Sequence, residues 1–220
     1  TGLNKPVLNA GTWTFNTYAF YSGIANRNPQ LQRNIYQVIS GLTNTITIDG
    51  TYSGTTRRAT AASGIFLSGD SSVHLTGASY LQTPKGLFQI TGYVNASAVT
   101  ISTLAAYSGA TAVEFKLWRR LFSARTASIT NTVTPALYSV STVQPEYTLN
   151  LTDRIGEIVF ATSTALVATI NWTHNGNQYY TNFLTPIVVR HNDLTAVQGK
   201  VGDEAYHMSL AQYTVATQAA

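Results

Sequence analysis

Four carboxylates are the first candidates for chemistry: Asp49 and Asp70 at turn signals, and Glu114 and Glu157 on alternating apolar runs. Hydrolysis of a glycosidic bond needs two such groups flanking one sugar. Turns and half-exposed strands are also where carboxylates are simply solvated, and the sequence favours that reading. His191, Asp193 and His207 supply ligands of the kind zinc or manganese takes. They are spread through a glycine-interrupted stretch whose spacing fixes no geometry, so local turn hydrogen bonding by Asn192 and Asp193 is expected instead. Arg57-Arg58 and Arg119-Arg120, the latter beside Trp118, would suit stacking and phosphate contacts on a nucleic acid. Arginine with an adjacent tryptophan is also the composition of protein interfaces, and this is the preferred reading. Tyr52 and the pair Tyr179-Tyr180 could stack on sugar rings, although strict alternation along a strand would bury one member of an adjacent pair.

The chain has no G-x-S-x-G elbow, P-loop, H-E-x-x-H or G-x-G-x-x-G. It contains no cysteine, which excludes disulfides, thiolate metal sites and cysteine nucleophiles. The expectation is a non-enzymatic protein without cofactor or metal.

What must position any of these groups is a β-rich scaffold. Only 10% of the 220 residues are charged, against roughly 25% in an ordinary soluble domain. Thr occurs 33 times, Tyr 13 and Gly 16, a balance suited to strands joined by tight turns. The net charge of +4 reflects scarce acids rather than a basic run, so no nucleic-acid partner is expected. No apolar run is long enough for a membrane span, so no membrane insertion is expected. The chain starts at Thr1 rather than Met, which reads as a processed or excised product.

Short alternating runs bounded by Gly, Asn, Asp, Pro or Ser predict about ten to twelve antiparallel strands. They include Thr12 to Phe15, Asn34 to Ile39, Thr45 to Ile48, Ser63 to Leu67, Val73 to Leu75, Leu87 to Val94, Ala98 to Leu104 and Ala112 to Phe122. Ala136 to Val143, Ile155 to Ala161, Leu166 to Trp172 and Gln178 to Val189 complete the set. In Val113 to Trp118 the odd positions are apolar, and Glu114, Lys116 and Trp118 face solvent or a partner. Ala165 to Ile170, apolar almost throughout, reads as covered on both faces, by the opposite sheet or by another subunit. His174-Asn175-Gly176-Asn177 predicts a hairpin joining the last two runs. The fold class is therefore all-β, an antiparallel, jelly-roll-like β-sandwich over 1–189. Residues 190–220 lose the alternation and form an appendage ending in a short helix capped by Ser209.

The C-terminal stretch holds Asp153-Arg-Ile-Gly-Glu-Ile-Val-Phe-Ala-Thr-Ser-Thr164, then His174-Asn-Gly176, Tyr180 and Thr185-Pro186. Arg190-His191-Asn192-Asp193-Leu194, Gln198-Gly199 and Tyr206-His207 follow. This series resembles virion structural proteins of tailed bacteriophages. The tail motif covers about thirty residues, and with the preceding strands the likeness extends over roughly a third of the chain. Lys200 stands where a second glycine commonly follows Gln-Gly in such proteins, so a tight turn there is not implied.

The resemblance implies a trimeric fibre or spike component of the virion, assembled in the bacterial host cytoplasm and involved in host attachment. Its partners would be further copies of itself, other virion proteins and a host surface polysaccharide. It makes His191, Asp193, Gln198 and Tyr206 connector residues, while Trp118 and Tyr180 are the expected interface residues. A lectin-like carbohydrate-binding module, a head-decoration protein and a polysaccharide depolymerase stand as alternatives.

Overall fold

A computed structural model of the chain describes residues 7–23, 28–39, 45–49, 56–102, 110–164, 168–173 and 179–186. Among the described residues there are fifteen strands, all paired antiparallel, and only two single-turn 3-10 helices. The all-β class and the packed antiparallel sheets expected from the sequence are therefore present.

The alternating sequence Gly-Thr-Trp-Thr-Phe-Asn-Thr-Tyr-Ala-Phe-Tyr-Ser-Gly forms β2 (Gly11–Gly23). Its odd residues Trp13, Phe15, Thr17, Ala19 and Tyr21 are buried, while the even ones are partly or fully exposed, as the two-residue period of a strand demands. On one side β2 pairs with β11 (Ala136–Gln144), and on the other with β14 (Ala168–Trp172) and β15 (Asn182–Leu184). This makes a four-stranded sheet.

The second sheet has nine strands. Its order is β13 (Arg154–Thr162), β3 (Gln30–Ile39), β10 (Lys116–Arg125), β6 (Tyr80–Thr83), β7 (Gly86–Asn95), β8 (Ala98–Ser102), β5 (Thr56–Ala61), β4 (Ile46–Ile48) and β9 (Ala110–Val113). A short pair, β1 (Val7–Leu8) with β12 (Tyr147–Thr148), closes one end.

Two cores result. Trp13 and Phe15 of the four-stranded sheet pack on Ile35, Phe122 and Ala124 of β3 and β10, which is the interior of a sandwich. The strands from β10 round to β4 surround a separate cluster containing Leu117, Leu81, Ile90, Ile101, Ala59 and Ile48, against which Val113 of β9 packs. Only Glu114 and Phe115 separate β9 from β10, so this part of the sheet rolls around its own core. A bulge between Arg120 and Phe122 lets one strand serve both interiors, with Leu117 in the roll and Phe122 in the sandwich.

Several sequence expectations are corrected here. Ser63 to Leu67 and Val73 to Leu75 are not strands but parts of a strap, residues 62–79, that crosses the nine-stranded sheet. The predicted run Ala112 to Phe122 is two strands broken at Glu114-Phe115. Of the run ending at Ile170, Thr169 is exposed within the single chain, and Ala165 to Val167 lie outside the described residues.

The predicted turn His174-Asn175-Gly176-Asn177 lies outside the described residues; on either side of it β14 and β15 both pair with β2, and Thr181 N donates to Thr173 O at 3.1 Å. From Ala19 to Asn16 is three steps along β2, whereas the matching edge positions, Trp172 and Asn182, are ten apart. β14 and β15 are thus one edge strand interrupted by a seven-residue excursion.

Candidate functional site

The central strand β3 reads Gln-Leu-Gln-Arg-Asn-Ile-Tyr-Gln-Val-Ile, and Gln32, Arg33, Asn34 and Gln37 within it are buried. Each buried polar group needs a partner. On one face the strap supplies them through its backbone carbonyls. Gln32 and Asn34 both donate to Thr76 O at 3.1 and 2.8 Å, and Tyr36 donates to Ala78 O. Arg120 donates to Gly77 O, Tyr80 to Leu75 O and Gln89 to Ser72 O. The strap is held as a strand would be, with side-chain donors replacing a ladder. Burial pushes the Tyr36 and Tyr80 phenols above the ordinary tyrosine range.

On the other face of β3, Arg33 lies between the sheets, 2% exposed. Its Nε and Nη2 hold the Glu157 carboxylate, and Nη1 donates to Asn182 O at 2.9 Å. The guanidinium also sits 4.9 Å from the Phe15 ring centroid and 5.8 Å from that of Phe183. One cation thereby joins β3, β13 and β15. Nearby, Gln37 donates to Asp153 Oδ2, which also accepts from Asn150 N and fixes the turn before β13.

The outer face of the four-stranded sheet differs sharply in chemistry. Its strands, of 13, 9, 5 and 3 residues, contain no Lys, Arg, Asp or Glu at all. The face is knitted by neutral bonds: Thr14 to Ser141 at 2.8 Å, Ser139 to Asn16 Oδ1 at 2.6 Å and Asn16 to Asn182 at 3.1 Å. Leu137 and Val143 stand out from it, 50% and 76% exposed. At one edge the Tyr18 and Tyr179 rings lie 5.4 Å apart, next to Tyr180. Among the described residues, charge is concentrated on the nine-stranded sheet and the connections between strands.

No family model matches the chain, and neither do curated proteins or solved structures. The site is therefore read from its own geometry.

Asp70 and Glu157, candidate acids by sequence, are each bound to an arginine, while Glu114 is exposed in the β9–β10 link. Arg119 and Arg120 point into the protein, to Asp70 with Ile65 O and to Gly77 O, rather than forming a basic rim. Trp118 is half-buried on the Tyr36 ring and donates to Gln82 Oε1 at 2.8 Å. Tyr180 is 54% exposed and its neighbour Tyr179 37%, so this pair is not split between core and surface as alternation predicted. The reason is that both belong to the excursion, not to a strand. His191, Asp193, Gln198 and Tyr206 lie outside the described residues, as do Tyr52 and His207. Among the described residues no cluster of three or more His, Asp or Glu side chains is placed to hold a metal.

The sequence reading missed the polar β3 network. Its one available signal was five amide or cationic residues inside an otherwise apolar ten-residue run.

Proposed function

We propose that the chain is a self-assembling structural subunit of a tailed-phage virion, of the fibre or spike type. The observation that carries this reading is the charge-free outer face of the four-stranded sheet. Neutral hydroxyls, amides and exposed Leu137 and Val143 make a surface with little to repel a copy of itself, and charge depletion marks the buried centres of interfaces. The rigid polar ties behind it, from Arg33 and the strap, suit a load-bearing part. The segment from His191 to His207 supports the phage assignment by its resemblance.

Light scattering on the purified protein tests the reading. A mass of two or more subunits of 23.7 kDa is expected, three being the stoichiometry of a simple fibre. A single-subunit mass across the micromolar range overturns it.

A second reading is favoured by one observation, the half-buried Tyr18 ring set against the exposed Tyr179, with exposed Tyr180 next in the chain. Flat rings beside uncharged amides suit a neutral polysaccharide, so the same subunit would contact the host surface there. Binding on a glycan array that is lost in Tyr179→Ala/Tyr180→Ala supports it, and no binding by the parent protein rejects it.

A further inference from the structure

We propose that β11 is the contact through which two copies of this chain pair, edge to edge across a two-fold axis, joining their four-stranded sheets into one. The proposal rests on the self-assembly reading above and names the surface that makes it.

An exposed sheet edge is a template for another strand, and proteins normally blunt it with charge, shortness or irregularity. The other long edges here are blunted. β9 has four residues, a positive φ of 54° at Ala112 and a register shift against β4. β13 carries Arg154 and Glu157. The β14–β15 edge is broken by the seven-residue excursion. β11 has none of these devices. It is nine residues long, pairs with β2 in unbroken register from Ala136 to Gln144, and contains no charge, proline or glycine. Its second edge pairs with no strand among the described residues.

The occupant follows from the sequence of the strand itself. In an antiparallel pairing of β11 with its own copy, centred on Val140, residue 137 faces 143 and residue 139 faces 141. The exposed apolar residues Leu137 and Val143 then meet each other, Ser139 meets Ser141, and Val140 meets Val140. Every outer-face pair is matched in kind, and cross-strand matching is what stabilises a sheet. A two-fold contact requires this self-complementarity. It also revises the trimer suggested by resemblance: the direct contact joins two chains.

Charge placement tests the register. Ser139 and Ser141 are exposed and bond only to hydroxyl or amide groups of the outer face, so changing them spares the core. Ser139→Lys/Ser141→Lys sets lysine against lysine twice across the axis, whereas Ser139→Lys/Ser141→Glu sets opposite charges together. Sedimentation equilibrium of the full chain is expected to show the parent and the Lys/Glu form associated, and the Lys/Lys form at least tenfold weaker. Association of the Lys/Lys form equal to the parent, or a Lys/Glu form no better than Lys/Lys, overturns the β11 contact and leaves self-assembly by another surface standing. A parent that is a single subunit overturns self-assembly itself, and this contact with it.

Since the chain has no cysteine, Ser139→Cys and Ser141→Cys give an independent readout. Facing Cα atoms in an antiparallel pair lie about 4.5–5.5 Å apart, within disulfide reach. Oxidising the two variants mixed is expected to give a covalent dimer that neither gives alone, and equal cross-linking of either variant alone overturns the register.

Discussion

Arg119 grips both carboxylate oxygens of Asp70, Nε to Oδ1 at 3.0 Å and Nη2 to Oδ2 at 3.2 Å, and so ties the strap to β10. The same carboxylate accepts from Ser79 Oγ and Leu67 N, and Arg119 also donates to Ile65 O. Both ends of the strap therefore converge on one buried acid. Asp70→Ala strips the partners from Ser79 and Leu67 and leaves Arg119 half-satisfied, a loss expected to cost about 3–5 kcal/mol. Urea denaturation measures the loss. Amide hydrogen exchange should locate the loosening in residues 67–79, while β2 and β11 keep their protection.

Arg33 and Glu157 make the opposite kind of test, because the cation is buried between the sheets and its acid reaches the rim. Arg33→Met leaves Glu157, Asn182 O and the two phenylalanine faces without their cation, an expected loss of about 3 kcal/mol. Arg33→Met/Glu157→Leu replaces the whole pair with apolar volume and is expected to recover most of that loss. A double-mutant cycle by chemical denaturation gives the coupling; strict additivity would show that the pair contributes nothing as a unit.

The ring of Trp118, half-buried within the chain, lies on Tyr36 and directly over Gly156 of β13. A Cβ at position 156 would stand 2.5 Å from the Trp118 ring and 2.9 Å from Val38. Gly156→Ala is therefore expected to destabilise the protein by about 1–3 kcal/mol through overpacking. Adding Trp118→Leu should relieve part of it. Because these contacts are within one chain, thermal unfolding should fall without a change in subunit number by light scattering.

The β class was legible because it lives in local pattern: Trp13, Phe15, Thr17, Ala19 and Tyr21 alternate inward as their spacing says. Scarce charge was countable too, but not that the strands of one sheet would carry none of it. What was not legible is pairing at a distance. β14 and β15, late in the chain, both pair with β2 from near its start. The burial of Gln32 and Asn34 was not legible either, because the carbonyl that satisfies both, Thr76 O, is more than forty residues away. The self-matching order of β11 was present in the sequence, but only the strand's position at a sheet edge gives it consequence.

Stability should fall on the alkaline side through the buried phenols. Burial raises Tyr36, Tyr80 and Tyr147 above the ordinary tyrosine range, so each keeps its proton in the folded state at a pH where the unfolded chain has lost it. Below about pH 10, the unfolded tyrosine value, both states are protonated and the contribution is complete. Above it the unfolded chain binds fewer protons than the folded one, so the free energy of unfolding decreases as pH rises. Urea midpoints measured between pH 8 and pH 11.5 should be flat at first and then decline. Tyr80→Phe removes one titrating group together with its bond to Leu75 O, so it should start lower at pH 8 and decline less steeply. A parallel decline in Tyr80→Phe and the parent would show that Tyr80 takes no part in the alkaline transition.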